Sequence, residues 1–164
     1  MLFAIFAIFG IFIIALFIHI IILGALFEPT QEKELKTIIE FLNPQLNEKI
    51  ADLGSGNGKL VIALAKRGAH VHGYEINPLL VFISKYKIKK LRLKNAYIYQ
   101  KNFWNVNLKD YDSIVLFQTP FIMESLEKKL NAELKPKTKI ISNTWKFPHW
   151  KTQKQKGKVY FYQT

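Results

Sequence analysis

Residues 51–58 read Ala-Asp-Leu-Gly-Ser-Gly-Asn-Gly, and residues 73–78 read Gly-Tyr-Glu-Ile-Asn-Pro. An acid, Asp52, enters a turn of three alternating glycines, and a second acid, Glu75, follows one βαβ step downstream. This spacing constrains the fold more than any other feature of the chain. Glycines at the start of a helix let the backbone approach a ligand closely and turn N–H groups toward it. A tight turn without a ligand would not need the chain entropy that three glycines lose. The alternation of Gly54, Gly56 and Gly58 also departs from the G-x-G-x-x-G of dinucleotide folds, because Lys59 stands where the last glycine of that pattern would fall.

The surrounding sequence alternates apolar runs with helical periodicity. Thr30 is expected to cap a first helix, with Glu32 and Glu34 in its first turn. Leu35, Ile38, Ile39 and Leu42 give that helix one apolar face, and Asn43-Pro44 stops it. Strands are expected at 49–53, 70–75, 96–100, 112–117 and 139–142, with helices at 58–67, 77–89 and 120–131 between them. In the second of these helices Leu79, Leu80, Phe82, Ile83 and Tyr86 are available for packing. The segment 145–162 reads as a closing hairpin with Gly157 near its turn. Such alternation predicts an α/β fold with a Rossmann-like, doubly wound, mostly parallel sheet.

The first 27 of the 164 residues contain no Lys, Arg, Asp or Glu, and His19 is the only polar interruption after Met1. About 20 such residues suffice to cross a hydrocarbon core. A cleaved signal peptide would want a basic start and a shorter apolar stretch. Residues 1–27 are therefore expected to form one transmembrane helix that anchors residues 28–164 to membrane lipid. All charges lie in the second segment, 24 Lys+Arg against 12 Asp+Glu for a net +12. Basic residues beside a span place the domain on the cytoplasmic side. There is no cysteine, which excludes disulfides and thiol catalysis. The four histidines form no metal-binding pattern, and His70 and His72 read as structural. The lysine-rich run 85–101 admits three readings: a solvated helix face, a membrane-surface patch or an RNA-binding patch.

The glycine turn with its flanking acids resembles that of S-adenosylmethionine-dependent methyltransferases of class I. In an open α/β sheet, ligands sit outside the C-terminal ends of the strands. Asp52 there could receive a ligand amino group, and Glu75 both ribose hydroxyls. Asn102 could bond an adenine edge that Phe103 or Trp104 covers. Gln118, at the end of the fourth strand, lies beside the expected position of the transferred methyl and is the candidate catalytic residue. Enzymes that methylate adenine or glutamine nitrogens usually carry Asn/Asp-Pro-Pro-Tyr/Phe at this place. The sequence here is Phe117-Gln118-Thr119-Pro120, which argues against planar amide-type acceptors.

Across residues 29–150 the chain also resembles a narrower family. These are the short, membrane-anchored protein-lysine methyltransferases whose mitochondrial members modify the ATP synthase c-subunit and the adenine nucleotide translocase. The resemblance rests on Pro29-Thr30, on Asp52 through Lys59, on Gly73 through Pro78, on Asn102-Phe103-Trp104, and on Phe147-Pro148-His149-Trp150. It implies that Pro29, Thr30 and the turn Gly54, Ser55, Gly56, Asn57 and Gly58 hold the cofactor's methionine part. It places the ribose at Glu75 and Ile76 and the adenine at Asn102 and Phe103. One departure is Asn57-Gly58-Lys59, where the family commonly has Asp-Gly-Arg.

The expectation is thus a membrane-tethered protein-lysine N-methyltransferase with S-adenosyl-L-methionine as cofactor, no metal, and a protein partner that exposes a lysine near the membrane. Methylation of a membrane lipid or small molecule, and cofactor binding without turnover, remain open on the sequence alone. A nucleic-acid substrate is disfavoured by the adjacent span, and nothing in the sequence sets the oligomeric state.

Overall fold

A computed structural model describes residues 6, 9–13 and 30–164. The expected anchor, His19 and Pro29 lie wholly or largely outside the described residues. No helix among the described residues is long and apolar enough to cross a membrane.

The amphipathic spacing of residues 32–42 forms α1 (Glu32–Leu42), which buries Leu35, Ile38 and Leu42. Asn43 ends it in the left-handed region, φ 41°, and donates its N–H to the Ile39 carbonyl. The expected cap at Thr30 is displaced by one residue. Gln31 takes the cap position without a side-chain bond, and the Thr30 carbonyl instead accepts the Lys59 ammonium at 2.8 Å.

The alternating segments follow as β1 (Lys49–Leu53), α2 (Lys59–Ala65), β2 (His70–Glu75), α3 (Pro78–Lys90), β3 (Ala96–Gln100), β4 (Ser113–Leu116), α4 (Met123–Glu133), β5 (Lys139–Asn143), β6 (Lys154–Lys156) and β7 (Val159–Gln163). They build one seven-stranded sheet in the order β3-β2-β1-β4-β5-β7-β6. The first five strands are parallel, and β7 runs antiparallel to both neighbours. The strand order reverses between β1 and β4, which opens a crevice at their C-terminal ends.

Each face of the sheet has its own core. On one face, α1, α2 and α3 cover Ile50, Val71, Ile98, Val115, Ile141 and Phe161. On the other, α4 and the segment between β3 and β4 cover Ala51, Leu53, Ile114, Leu116 and Ile140. Strand residues facing both ways are therefore buried, and β4 is apolar apart from Ser113 for that reason.

Two helix expectations are corrected. The segment 120–131 is not one helix. Pro120–Ile122 makes a 3-10 turn with Pro120 at its first position, and Ile122, at φ -104° and ψ -5°, separates it from α4, which begins at Met123. In α3 the buried residues are Val81, Ser84 and Ile88, whereas Leu79, Phe82 and Tyr86 point outward, 64%, 68% and 60% exposed. Ser84 takes the inward position because it meets the glycine turn.

Candidate functional site

The glycine turn links β1 to α2 at the edge of the crevice. Gly54, Gly56 and Gly58 all adopt left-handed backbone, φ 87°, 52° and 75°. Two of them also sit where a side chain has no room. A Cβ on Gly54 would fall 2.6 Å from Gln118 Nε2, and one on Gly58 2.9 Å from Ser84 Cβ. The adjoining strand is fitted to the turn in the same way. A Cβ on Gly73 would lie 2.7 Å from both Ser55 and Ile98.

The turn is tied to β2 through backbone donors. The Gly54 and Ser55 N–H groups both donate to the Tyr74 carbonyl, at 2.9 and 3.0 Å. The Gly56 N–H donates to Glu75 Oε2 at 2.9 Å. Glu75 Oε1 accepts the N–H groups of Ile76 and Asn77 at 2.9 and 2.8 Å. Three backbone donors thus hold the carboxylate at the mouth of the crevice. An ionised carboxylate offers about four acceptor positions, so one remains, on Oε2. Ser84 Oγ donates to the Gly56 carbonyl at 2.9 Å, and Lys87 to the Asn57 carbonyl at 3.2 Å.

Asp52 lies in β1 just before the turn and is only 5% exposed. Burial, and secondarily the Glu75 charge, push its carboxyl up to about 7. Among the described residues no hydrogen bond offsets that shift and no cation pairs with the carboxyl. Ser55 Oγ is also buried, without a hydrogen-bond partner among the described residues. A buried acid, an orphaned hydroxyl and a glycine cradle that a Cβ would fill are what a cationic ligand with hydroxyl and amino groups requires. The residues present therefore fit S-adenosylmethionine.

Gln118 donates its amide to the Leu53 carbonyl at 2.6 Å and so lies across Gly54. Ile76 is exposed beside Glu75, to which it contributes its N–H. Asn57 Oδ1 accepts the Lys59 N–H at 3.3 Å. Lys59 also pairs with Glu32 at 2.8 Å, which links α1 to the turn. Asn102 Oδ1 caps a 3-10 turn, Phe103–Asn105, by accepting the Trp104 N–H at 3.0 Å, which leaves its NH2 group for a ligand. The rings of Phe103 and Trp104 are 5.2 Å apart and partly buried against the second core.

The structure brings Asp52, the turn, Glu75 and Gln118 to one place. Thr30 is joined to them through Lys59, and Asn102 and Phe103 follow the neighbouring strand. Ser84 and the tether made by Lys59 have no sequence motif, and only the packing of α3 and α1 on the turn reveals them. A tyrosine cluster beneath the crevice is equally silent in the sequence. His72 Nδ1 lies 2.7 Å from the Tyr111 hydroxyl, which lies 2.6 Å from that of Tyr74. Burial holds the His72 imidazole below its ordinary range, consistent with a structural role.

The segment Phe147-Pro148-His149-Trp150 closes the second face. Phe147 is buried between Trp150 and Tyr162, with ring centres 4.6 and 5.3 Å away. The His149 N–H donates to buried Glu127, and Trp150 Nε1 to Asn131.

Residues 52–154 match the ANTKMT methyltransferase domain. The human lysine N-methyltransferase of the ATP synthase c-subunit is 36% identical over 125 residues, which cover 76% of this chain and 53% of that protein. The mouse adenine nucleotide translocase lysine N-methyltransferase is 34% identical over 104 residues, 62% of this chain and 45% of that one. The chain spans about half the length of these curated relatives. The fold is shared with an RNA methyltransferase from Salinibacter ruber solved with S-adenosyl-L-homocysteine, at a TM-score of 0.79. That match has 23% identity and covers 83% of this chain and 93% of that one.

Proposed function

The chain belongs to the ANTKMT methyltransferase domain family, and from this we propose that it is a protein-lysine N-methyltransferase that uses S-adenosyl-L-methionine. The observation that carries the reading lies within the matched residues: a carboxylate at the end of β2 bonded to the N–H of the middle glycine of the turn. That contact supports a binding site within the matched residues. Lysine as acceptor is supported by the activities named for the human and mouse relatives.

When bound, the cofactor supplies an electrophilic methyl on a sulfonium, whose leaving group is a neutral thioether. The chain need only bind, orient and exclude water. Glu75 would accept a ribose hydroxyl at the position left on Oε2, with Ile76 beside it. Gly54 through Gly58 would receive the methionine part against the backbone, and by the family resemblance Pro29 and Thr30 would contribute to holding it. Asp52 would accept the amino group, and Asn102 and Phe103 would meet the adenine. Gln118, with its NH2 group bound to Leu53, would turn its carbonyl oxygen toward an incoming amine. A lysine amine must be neutral to react, and its ordinary pKa is about 10.4. Partial burial beside a cation lowers it. Alignment of amine and methyl supplies much of the rate.

The apolar run 2–27 supports a membrane tether, with residues 28–164 at the cytoplasmic surface and a membrane-associated protein as substrate. A tether raises the local concentration of such targets. The test is incubation of the full chain with methyl-labelled cofactor and a membrane fraction, followed by acid hydrolysis. Label in methyllysine is expected. Label confined to the organic extract would replace the protein acceptor with a lipid.

A further inference from the structure

Helix α3 is apolar on two sides. Its inner side, Val81, Ser84 and Ile88, packs on the sheet. Its outer side presents Leu79, Phe82 and Tyr86, which fall at i, i+3 and i+7 and so form one continuous ridge. At 100° per residue, Lys85 and Lys89 flank this ridge on one side and Lys90 on the other. None of these three lysines joins an ion pair among the described residues. The stretch 76–109 contains no Asp or Glu at all.

We propose that this outer face of α3 docks on an anionic phospholipid bilayer, as a second membrane contact separate from the N-terminal run. Exposed apolar ridges of this kind mark interaction sites. An apolar ridge bordered by lysines matches an interfacial helix. Leucine and the aromatic rings enter the boundary region while the lysine stems reach back to the phosphates. Tyr86 adds a ring with one polar end, suited to that depth. Charge complementarity selects the partner. A second copy would oppose lysine to lysine, and an RNA backbone would gain nothing from a ridge centred on Leu79 and Phe82. The contact depends on no step of methyl transfer.

The chain has no cysteine, so the full chain with Phe82→Cys can carry a single environment-sensitive fluorophore. Lys158→Cys, at the exposed turn between β6 and β7, gives the control position. Flotation reports insertion of the N-terminal run, whereas the label reports the α3 face, so failure of either contact is seen separately. In phosphatidylcholine vesicles containing phosphatidylglycerol, the label at position 82 shifts to the blue and is quenched by doxyl-lipid. In phosphatidylcholine alone it is not, and the label at 158 stays in water in both. Replacing Lys85, Lys89 and Lys90 by Glu in the labelled chain lowers the docking equilibrium by about fivefold or more per lysine. A label at 82 that stays in water on anionic vesicles overturns the proposal. So does equal quenching on neutral vesicles. Burial of the label by single-stranded RNA without lipid, or by raising protein concentration alone, overturns it in favour of those partners.

Discussion

The glycine turn with β2 (residues 52–77) and the closing segment (residues 143–163) are held in opposite ways. The first is held by backbone donors and by missing side chains. Gly56, Ile76 and Asn77 all donate main-chain N–H groups to Glu75, and Gly54, Gly58 and Gly73 stand where a Cβ would strike a neighbour. The second is held by large side chains: Phe147, Trp150 and Tyr162 touch one another, and His149 and Trp150 reach α4 through hydrogen bonds. The first region therefore fails when atoms are added, and the second when atoms are removed. The stretch Phe147-Pro148-His149-Trp150 is, on this structure, the fastening of the sheet's antiparallel edge to α4.

The largest expected effect breaks the second region. Phe147→Ala removes a buried ring and should lower stability by about 3–5 kcal/mol in urea unfolding. A loss below about 1 kcal/mol would mean that the closing segment is not held by packing. Next, Glu75→Gln keeps the shape of the side chain but removes the charge that three backbone donors face. Affinity for S-adenosyl-homocysteine, read by calorimetry, should fall about a hundredfold. Gly73→Ala adds a methyl 2.7 Å from Ser55 and Ile98 without entering the left-handed region. Overpacking alone should cost about 1–3 kcal/mol in thermal or urea unfolding. An unchanged midpoint would show that β2 can move away from the turn.

The Asp52 carboxyl titrates at about 7 in the folded chain against an ordinary value of 3.8. The raised value means that the free protein keeps a proton that the unfolded chain has lost. Its stability contribution therefore falls as pH rises from 3.8 toward 7. A cationic ligand needs the ionised form, so cofactor affinity should rise by about tenfold per pH unit up to neutrality and then level off. Calorimetry across that range should also detect proton release on binding, and Asp52→Asn should abolish both trends. The smallest effect is expected from Gln118→Ala, which loses one bond to Leu53. Stability should change by about 1 kcal/mol or less. Turnover with the acceptor should drop while cofactor affinity holds, and a drop in cofactor affinity instead would place Gln118 with the turn rather than with the acceptor.

The strand boundaries are legible in the sequence because each of β1 to β5 is a short run built around apolar residues and bounded by turn-forming or charged residues. The glycine turn and Glu75 are legible because their chemistry is local: three glycines and two acids at fixed spacing. The cap at Thr30 is off by one residue because a hydroxyl is only one way to begin a helix, and Lys59 claims the Thr30 carbonyl instead. The outward ridge of α3 reads as packing surface in the sequence because its apolar residues recur around the whole helix. Periodicity then names no buried side. Ser84 decides it, by meeting Gly58 and Gly56.

By itself, then, the order of residues determined an α/β sheet, a ligand turn at its first strand and a second acid one step later, since all three follow from contacts close in the chain. Tertiary structure alone decided that Asp52 is buried without a partner among the described residues, that Glu75 is held by the turn it faces, and which side of α3 meets water. Those properties depend on segments far apart in sequence coming together, and burial, charge and steric room are defined only once they have.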